Sequence, residues 1–240
     1  MMVIERQRRI VEELRVNPNV SVKELALMLH VSEVTVRRDL TVLHDRGIVT
    51  KIYGGATLNA ANSLNEIPFS LRACEKSEIK SRIAKRAAEL VEDGMVIMLD
   101  GSTSAYHMVP YLARHQNLIV ITSGAKTALM LAEANIKTFC TGGQMIIHSY
   151  SYVGEQAEEF VRNFNADILF FSCHGLDCDG TMSDNAIEEA NLRRVMLRHA
   201  KKRVLLCDSS KLGKRCLYNM GKADSIDEIV SDAPISFETP

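Results

Sequence analysis

The sequence predicts an α/β protein made of a small helical head with a two-stranded ribbon, followed by a larger, mostly parallel α/β domain. Three observations support this fold class. Short helical segments separated by turns fill residues 4–46, two alternating segments within 48–58 flank a glycine pair, and from residue 95 onwards short apolar segments alternate with helical ones. Continuous apolar strands that alternate with helices are typical of a parallel sheet covered on both faces.

The composition is that of an ordinary globular protein. Of 240 residues, 46% are hydrophobic and 25% are charged, and the net charge is −1, so any contact with nucleic acid requires a local basic patch. The N-terminal "MMVIERQRRI" is charged where a signal peptide is apolar, and no apolar run reaches the length of a membrane span. We therefore expect a cytoplasmic protein that does not associate with membranes, and whose six scattered cysteines are reduced.

Three short helices are predicted in the head. Residues 4–15 carry one apolar stripe, and Ser21 with Glu24 forms a capping box that opens the second helix. Ser32 is the expected cap of the third helix, which Gly47 ends, and "IVTKIYGGATL" then alternates around a glycine pair as a ribbon does. Two helices joined by a three-residue turn and followed by a ribbon form a winged helix-turn-helix.

The third helix predicts DNA binding. Val36, Leu40 and Leu43 fall on its buried side, which leaves a basic N-terminal part to enter a major groove, where arginine forks to guanine or clamps a phosphate. The alternative is a solvated helix whose arginines pair with Asp39 or Asp45, but the turn, the cap and the wing together favour double-stranded operator DNA as the partner. The predicted DNA-binding residues are Ser32, Glu33, Thr35, Arg37, Arg38, Lys51, Tyr53, Gly54 and Gly55.

Residues 27–56, "LMLHVSEVTVRRDLTVLHDRGIVTKIYGGA", resemble the DNA-binding domain of the DeoR family of bacterial transcriptional regulators. The V-S-x-x-T-V-R-R-D-L core and the G-G-A after the wing carry the resemblance. Lys51 stands where the family often has arginine, and it would neutralise a phosphate as a point charge. Because one winged helix covers little DNA, we expect a homodimer or homotetramer that binds paired half-sites.

The chain is predicted to divide into a DNA-binding domain at 1–58, a linker at 59–75 and an α/β domain at 76–240. Residues 59–66, "NAANSLNE", lose all periodicity. The strands of the α/β domain are predicted at 95–99, 118–122, 136–140, 167–172 and 203–207, with a last one within "SIDEIVSD".

Small polar residues follow these strands, and ligands of parallel sheets collect at the carboxyl ends of the strands. Glycines let a backbone approach a ligand, hydroxyl and N–H groups cradle phosphate oxygens, aspartates accept from sugar hydroxyls and Lys211 supplies positive charge. Any single loop of this kind is an ordinary capping turn, but five at one sheet edge predict a site for a small phosphorylated polyol. The predicted effector-binding residues are Asp100, Gly101, Ser102, Thr103, Ser104, Thr122, Ser123, Gly142, Gly143, His174, Asp177, Glu188, Asp208, Ser210 and Lys211.

The DeoR resemblance continues through "LDGSTS", "TGG", "DGTMSDNAIEEANLRRVML" and "DSSKLGK". It implies an effector domain similar to ribose-5-phosphate isomerase that senses a phosphorylated sugar. The protein it implies is a repressor of a sugar-utilisation operon that uses no cofactor. This chain departs from the family at Ser123–Gly124, where asparagine is usual, and at Ser104, where threonine is usual.

The stretch "FFSCHGLDCDG" at 170–180 admits several functions. Cys173, His174 and Cys178 are too crowded for one tetrahedral zinc site, so we predict no metal. A thiol-responsive regulator that uses Cys173 and Cys178 remains an alternative, although Cys173 also fits a small buried residue. His174 and Asp177 are interpreted as the rim of the pocket.

Catalysis is the remaining alternative. Asp177, Glu188 and Lys211 are the residue types with which sugar-phosphate isomerases move a proton. The chain has no match to the glutamate-bearing motifs of those enzymes and carries a DNA-reading head, so we predict no catalytic residues and no enzyme activity. An active isomerase with a DNA-binding appendage stays the competing hypothesis.

Overall fold

The computed structural model describes residues 3–18, 20–45, 48–58 and 67–237, without the side chains of Ile4 and Arg15. The chain forms two compact units, residues 1–75 and 76–240. The predicted end of the third helix at Gly47 and the aperiodic segment 59–66 lie outside the described residues.

The first unit begins with three helices, α1 (Val3–Val16), α2 (Val22–Leu29) and α3 (Glu33–Asp45). The predicted capping box is confirmed, since Ser21 Oγ accepts from Glu24 N at 3.2 Å and Ser21 N donates to the Glu24 carboxylate at 2.8 Å. Helix α2 ends at His30, which adopts a left-handed conformation, and Ser32 Oγ caps α3 by accepting from Thr35 N at 3.2 Å. These caps fix the tight turn between the two helices.

The ribbon after α3 is the predicted wing, with β1 (Val49–Ile52) and β2 (Gly55–Leu58) paired antiparallel around Tyr53 and Gly54. Gly54 has a φ of +77°, and a Cβ on Gly55 would lie 2.6 Å from the Val20 carbonyl oxygen. The turn conformation and the close approach explain this glycine pair.

Residues 67–75, the end of the predicted linker, belong to the first unit. Helix α4 (Phe69–Cys74) carries Leu71 into the apolar core that α1, α2 and α3 share, where it is fully buried. Arg72 Nε also donates to the Ile67 carbonyl at 2.9 Å. One apolar turn is too short for periodicity to reveal, and its core partners lie far away in sequence.

The second unit is a layered α/β domain. Its elements are α5 (Ser77–Ala88), β3 (Val96–Leu99), α6 (Thr103–Tyr106), α7 (Val109–Leu112), β4 (Ile119–Thr122), α8 (Ala125–Glu133), β5 (Lys137–Cys140), β6 (Gln144–Ile146), β7 (Ser151–Val153), α9 (Glu155–Arg162), β8 (Ala166–Phe171), β9 (Gly175–Leu176), β10 (Thr181–Asp184), α10 (Ile187–Arg198), β11 (Ala200–Cys207), β12 (Tyr218–Lys222) and β13 (Glu228–Ser231).

All six predicted strands pair into one parallel sheet, in the order β13-β11-β8-β3-β4-β5. Successive side chains point to opposite faces, so that Ile97 and Leu99 join one apolar core and Met98 joins the other. The strand order reverses between β3 and β8, which opens a crevice at their carboxyl ends. The predicted fold class is confirmed.

Five strands outside this sheet were not predicted. Strands β12, β10 and β9 form an antiparallel sheet, and β6 pairs with β7 in a hairpin. They are two to five residues long and contain glycine and polar residues, so they lack the continuous apolar run that marks the parallel strands. None of the described helices combines the length and apolar character needed to cross a membrane.

Candidate functional site

Helix α3 presents a basic face to solvent. Val36, Leu40 and Leu43 are buried at 0–2% exposure, as predicted, whereas Arg37 and Arg38 are exposed. Arg37 lies 3.5 Å from Glu33 in an exposed pair, and Arg38 has no ion pair among the described residues. Exposed pairs of this kind contribute little to stability, so both guanidinium groups are available for another partner.

The alternative pairing of these arginines with Asp39 is wrong. Asp39 is buried, and its carboxylate accepts from Arg6 Nε, from Arg6 Nη2 at 3.2 Å and from Gln7 Nε2 at 3.3 Å. This bidentate pair ties α1 to α3. The acidic residue beside the two arginines therefore stabilises the head and leaves the face of α3 basic.

The wing is tied to α3 through Lys51. Its Nζ donates to Thr41 Oγ1 at 2.8 Å, and Thr41 Oγ1 donates to the Arg37 carbonyl at 2.8 Å. Lys51 remains exposed, so its charge is still open to a phosphate. This side chain thus has two possible contributions to DNA binding, a charge and a fixed angle between wing and helix.

We expect Lys51→Met to weaken binding to a selected operator duplex about tenfold and to lower the salt slope of binding by about one, because one phosphate contact is lost. Thr41→Val keeps the charge and removes the hydrogen bond, so it should weaken binding less and leave the slope unchanged. Titrations at several salt concentrations measure both. Equal slopes in the wild type and Lys51→Met would show that Lys51 meets no phosphate.

The other predicted DNA-binding residues differ in exposure. Ser32, Glu33, Tyr53 and Gly54 are exposed, and Thr35 is half-buried with its Oγ1 2.9 Å from Ser32 Oγ. The structure buries the remaining one, Gly55, under the Val20 carbonyl. Packing therefore accounts for Gly55, and its prediction as a phosphate contact is not supported.

The carboxyl-edge loops are the segments that follow β3, β4, β5, β8 and β11. The loop after β3 is buried, and Ser102 Oγ caps α6 by accepting from Ala105 N at 3.1 Å. A Cβ on Gly101 would lie 2.7 Å from Ser151 Cβ, and one on Gly124 would lie 2.9 Å from Thr127 Oγ1. Glycine at 101 and 124 therefore permits close packing of neighbouring loops. The predicted residues in the loops after β3, β4 and β5 are buried at Gly101, Ser102, Thr103, Ser104, Thr122 and Ser123, half-buried at Gly142 and exposed at Gly143.

A buried arginine lies behind these loops. Arg193 Nε donates to Asp100 at 2.7 Å, Nη1 to Asp184 at 2.6 Å and Nη2 to Glu189 at 3.0 Å. All four side chains are at most 5% exposed. We call these four residues the arginine cluster. Through these three ion pairs, Arg193 connects the end of β3, the end of β10 and the first turn of α10.

The arginine cluster does not support the prediction that Asp100 and Glu188 bind the effector. Asp100 accepts from Arg193, from Ser172 N at 3.1 Å and from Ser102 N at 3.1 Å, so its carboxylate is occupied and fully buried. Glu188 is exposed, and its neighbour Glu189 is the buried acid. The two residues point to different sides of α10 because adjacent helix positions are about 100° apart.

Charge also fixes the state of Asp184. Burial raises the pKa of this carboxyl, but the charge of Arg193 and the hydrogen bond from His174 outweigh burial, so its pKa lies well below the usual value. His174 Nδ1 is 2.9 Å from Asp184 Oδ1. His174 thus adjoins the arginine cluster just before β9, and its place at the rim of a pocket stays a prediction.

Lysines gather at the carboxyl end of β11. Lys211 Nζ donates to Ser172 Oγ at 2.6 Å and is 3.7 Å from Asp208, and Lys76 Nζ is 3.6 Å from the same carboxylate. Burial raises the pKa of Asp208, but Lys211, the hydrogen bond from Ser210, Lys76 and Lys80 outweigh it, so the pKa is lowered. Three lysines therefore act on one carboxylate at this edge.

The stretch 173–180 is a hairpin and not a loop over a pocket. Strand β9 follows His174, a turn occupies 177–180, and β10 runs back. Asp177 lies on the turn, where its carboxylate is 2.8 Å from Arg215 Nε and accepts from Cys178 N. This ion pair accounts for Asp177, so its prediction as a pocket residue is not supported.

Cys173 has a thiol partner on β11. Cys173 lies two residues after the end of β8, its thiol is hydrogen-bonded to Cys207 at the end of the neighbouring strand β11, and Cys178 is exposed on the hairpin turn. The hydrogen bond with Cys207, together with burial, raises the pKa of the Cys173 thiol well above its usual value. A protonated buried thiol is unreactive, which weighs against a switch built on Cys173 and Cys178.

Among the described residues, the hydroxyl of Thr127 is buried without a hydrogen-bond partner. Thr127 lies in the first turn of α8, at the end of β4. Buried polar atoms are normally paired, so this fully buried hydroxyl, which packs against Gly124, is an exception to the usual bonding.

Two family models match the chain. The DeoR-like helix-turn-helix domain matches residues 6–62, and the DeoR C terminal sensor domain matches residues 75–233. Three relatives match along nearly their whole length. The HTH-type transcriptional regulator GolR of Listeria innocua is 33% identical, over 98% of this chain and 93% of the relative.

The second relative is the lactose phosphotransferase system repressor of Staphylococcus epidermidis, 31% identical over 89% of this chain and 86% of the relative. The third is the glycerol-3-phosphate regulon repressor of Escherichia coli K12, 28% identical over 98% and 92%.

Two solved structures are also similar. The eIF2B delta subunit of Chaetomium thermophilum has a TM-score of 0.50 at 15% identity, covering 67% of this chain and 57% of that one. Ribose-5-phosphate isomerase A of Methanocaldococcus jannaschii has a TM-score of 0.44 at 18% identity, covering 57% and 54%. The helix-turn-helix head, the parallel α/β unit and the two family matches lead to one conclusion: this chain belongs to the DeoR family of transcriptional regulators.

Proposed function

We propose that the protein represses a sugar-utilisation operon by binding operator DNA through α3 and the wing, and that a phosphorylated sugar controls this binding. The observation that carries the proposal is the exposed Arg38, which has no ion pair among the described residues and lies on the helix that follows the capped turn. An arginine in that position suits a base edge or a phosphate.

The effector proposal rests on the carboxyl-edge loops. Three lysines, at 76, 80 and 211, act on one carboxylate, Asp208, which favours an anion. The small polar residues of the loops after β3 and β4 are of the types that bind sugar hydroxyls. Two relatives are named for a phosphotransferase system and for glycerol 3-phosphate, which agrees with a phosphorylated ligand.

We propose binding without turnover. A proton-moving carboxylate needs a free oxygen near the substrate. Of the two acids predicted for an isomerase, Asp177 is paired with Arg215 and Glu188 is exposed on α10. The buried acids Asp100, Asp184 and Glu189 are all paired with Arg193. Asp184 in particular is held ionised, with a pKa below that of a useful base. Conversion of ribose 5-phosphate by the purified protein would favour the isomerase hypothesis.

The binding mode implies an assembly and a location. One head of this size contacts a single half-site, so we propose a homodimer or homotetramer that spans paired half-sites. A ligand shifts such an assembly only by preferring one arrangement of its heads over another. Because the proposed partner is operator DNA, we propose that the protein acts in the cytoplasm, where such DNA is transcribed.

Thermal unfolding against sugar phosphates and the matching free sugars tests the effector proposal. One phosphate at a hundredfold excess over its dissociation constant should stabilise the protein by about 2.7 kcal/mol and raise the midpoint by roughly 5 °C or more, while its free sugar does not. Lys211→Met should abolish most of that shift because it removes one of the three lysine charges at the carboxyl end of β11. Lys201→Met, an exposed lysine paired with Asp167 at 2.8 Å, is the matched control.

The outcomes separate the hypotheses. If the free sugar and the sugar phosphate raised the unfolding midpoint equally, and Lys211→Met left this shift unchanged, the proposal that the protein recognises the phosphate group would be wrong. No shift with any compound would contradict the effector site, while operator binding is measured separately.

A further inference from the structure

Val34 is an apolar side chain exposed to solvent in the first turn of α3. It is 76% exposed, whereas Val36, two residues later, is fully buried. Neither packing nor helix propensity explains valine here, because it buries little surface and β-branched residues are poorer helix formers than alanine.

The buried side of α3 shows which way the Val34 side chain points. Leu40 and Leu43 turn one side of α3 into the core, and Val34 lies on the opposite side, one helical turn before Arg38. The N-terminal part of a recognition helix is the part that contacts base edges. Val34 and Arg38 therefore form one stripe on the side of α3 that would face the major groove.

The chemistry of the stripe is mixed. Arg38 supplies a planar cation with no ion pair among the described residues, which suits guanine or phosphate oxygens. Val34 supplies two methyl groups without a hydrogen-bonding atom. In the major groove, the base feature that matches an apolar side chain is the C5 methyl group of thymine.

We propose that Val34 is a specificity-determining residue that recognises a thymine methyl group in the operator. This rests on the proposed binding of operator DNA by α3. It goes further by naming the base and the atom that one side chain of this chain reads.

The test replaces thymine with uracil, which removes only the methyl group. An operator duplex is first selected from a random library with the full-length wild-type protein. Each thymine of one half-site is then changed singly to deoxyuridine, and binding is measured for the wild type and Val34→Ala. At one or two positions the wild type should lose about three- to fourfold in affinity, the value of one buried methyl group.

Val34→Ala should bind the unmodified duplex three- to fourfold more weakly and should lose clearly less than the wild type at the same positions, because alanine keeps only its Cβ methyl group. Val34→Thr, which keeps one methyl group in a side chain of the same shape, should retain part of the sensitivity. Both substitutions are at an exposed site, and alanine favours the helix, so unfolding does not explain a loss. Val16→Ala is the matched control, since Val16 on α1 is 77% exposed and should have no effect.

The results distinguish this proposal from the proposed function. Equal uracil penalties in the wild type and Val34→Ala, or no penalty at any thymine, would overturn the assignment of Val34 while operator binding stands. Failure to select any duplex would instead overturn operator binding itself, and the role of Val34 with it.

Discussion

Replacing Arg193 with methionine is expected to lower the free energy of unfolding of the sensor domain, residues 76–240, by about 3–5 kcal/mol. The substitution leaves Asp100, Asp184 and Glu189 buried without their cation. A buried carboxylate without a nearby cation is destabilised by the loss of its hydration, and three such carboxylates share this site. Methionine fills much of the same volume, so the loss measures charge more than packing.

The pH dependence identifies the cause. In the wild type the pKa of Asp184 is lowered, so its contribution is present at neutral pH and is lost as pH falls below its unfolded value of 3.8. Without Arg193, burial should raise the pKa of the Asp184 carboxyl in the folded state. The stability of the variant is then lost as pH rises, so its deficit should be larger at pH 7 than at pH 5.

Urea unfolding at both pH values measures these effects. Arg198→Met is the control, since Arg198 is exposed in the last turn of the same helix and should cost little. Adding Asp184→Asn to Arg193→Met should recover part of the loss, because one unpaired charge is removed. A deficit independent of pH and unchanged by Asp184→Asn would contradict the electrostatic origin.

The parallel sheet could be predicted because its strands are continuous apolar runs, such as "LIVIT" at 118–122, whose burial on both faces leaves a local signal. Strand β9 has two residues, Gly175 and Leu176, and exists only because β10 lies beside it. The same reason applies to α4, whose single turn is stabilised by a core assembled from distant residues. Local sequence patterns predict elements that are stabilised by local interactions. Strand β9 and helix α4 are stabilised by residues distant in sequence, so such patterns do not reveal them.

The candidate site was predicted less completely than the fold. Position after a strand predicted Asp208 and Lys211 as effector residues, and this stays a prediction. The same reasoning assigned Asp100 to the effector, whereas its carboxylate is already paired with Arg193. The partners of Arg193 come from three separate segments, which no spacing reveals. One signal was available, since Glu189 and Arg193 are four residues apart and in line with Met196 on an apolar face. A charged pair within an apolar stripe indicates a buried ion pair.

The second large effect concerns the DNA-binding face. We expect Arg37→Ala and Arg38→Ala each to weaken binding to the selected operator duplex about 10- to 100-fold, the range of one good arginine contact to a base or to several phosphate oxygens. Because both side chains are exposed, the midpoint of thermal unfolding should stay within about 1 °C of the wild type. The shift produced by a sugar phosphate should also be unchanged.

Arg9→Ala is a close match for Arg37→Ala. Arg9 lies 3.4 Å from Glu5 with 53% of its side chain exposed, and Arg37 lies 3.5 Å from Glu33 with 61% exposed. The two variants lose the same charge and the same kind of helical pair, so a difference in operator affinity reports the position of the charge and not its amount. If Arg9→Ala weakened binding as strongly, the basic contribution would be diffuse, and α3 would not be the element that enters the groove.

Salt dependence then separates the two arginines by what they touch. An arginine that contacts a phosphate should, when replaced, lower the salt slope by about one and weaken binding to all duplexes alike. An arginine that contacts guanine should leave the slope nearly unchanged and relax selection at one base pair. Arg38 shares its stripe with Val34, which faces away from the core, so we expect base readout from Arg38. Arg37 lies beside Thr41, whose hydroxyl donates to the Arg37 carbonyl and accepts from Lys51 of the wing. Because the wing is expected to lie along the DNA backbone, we expect a phosphate contact from Arg37.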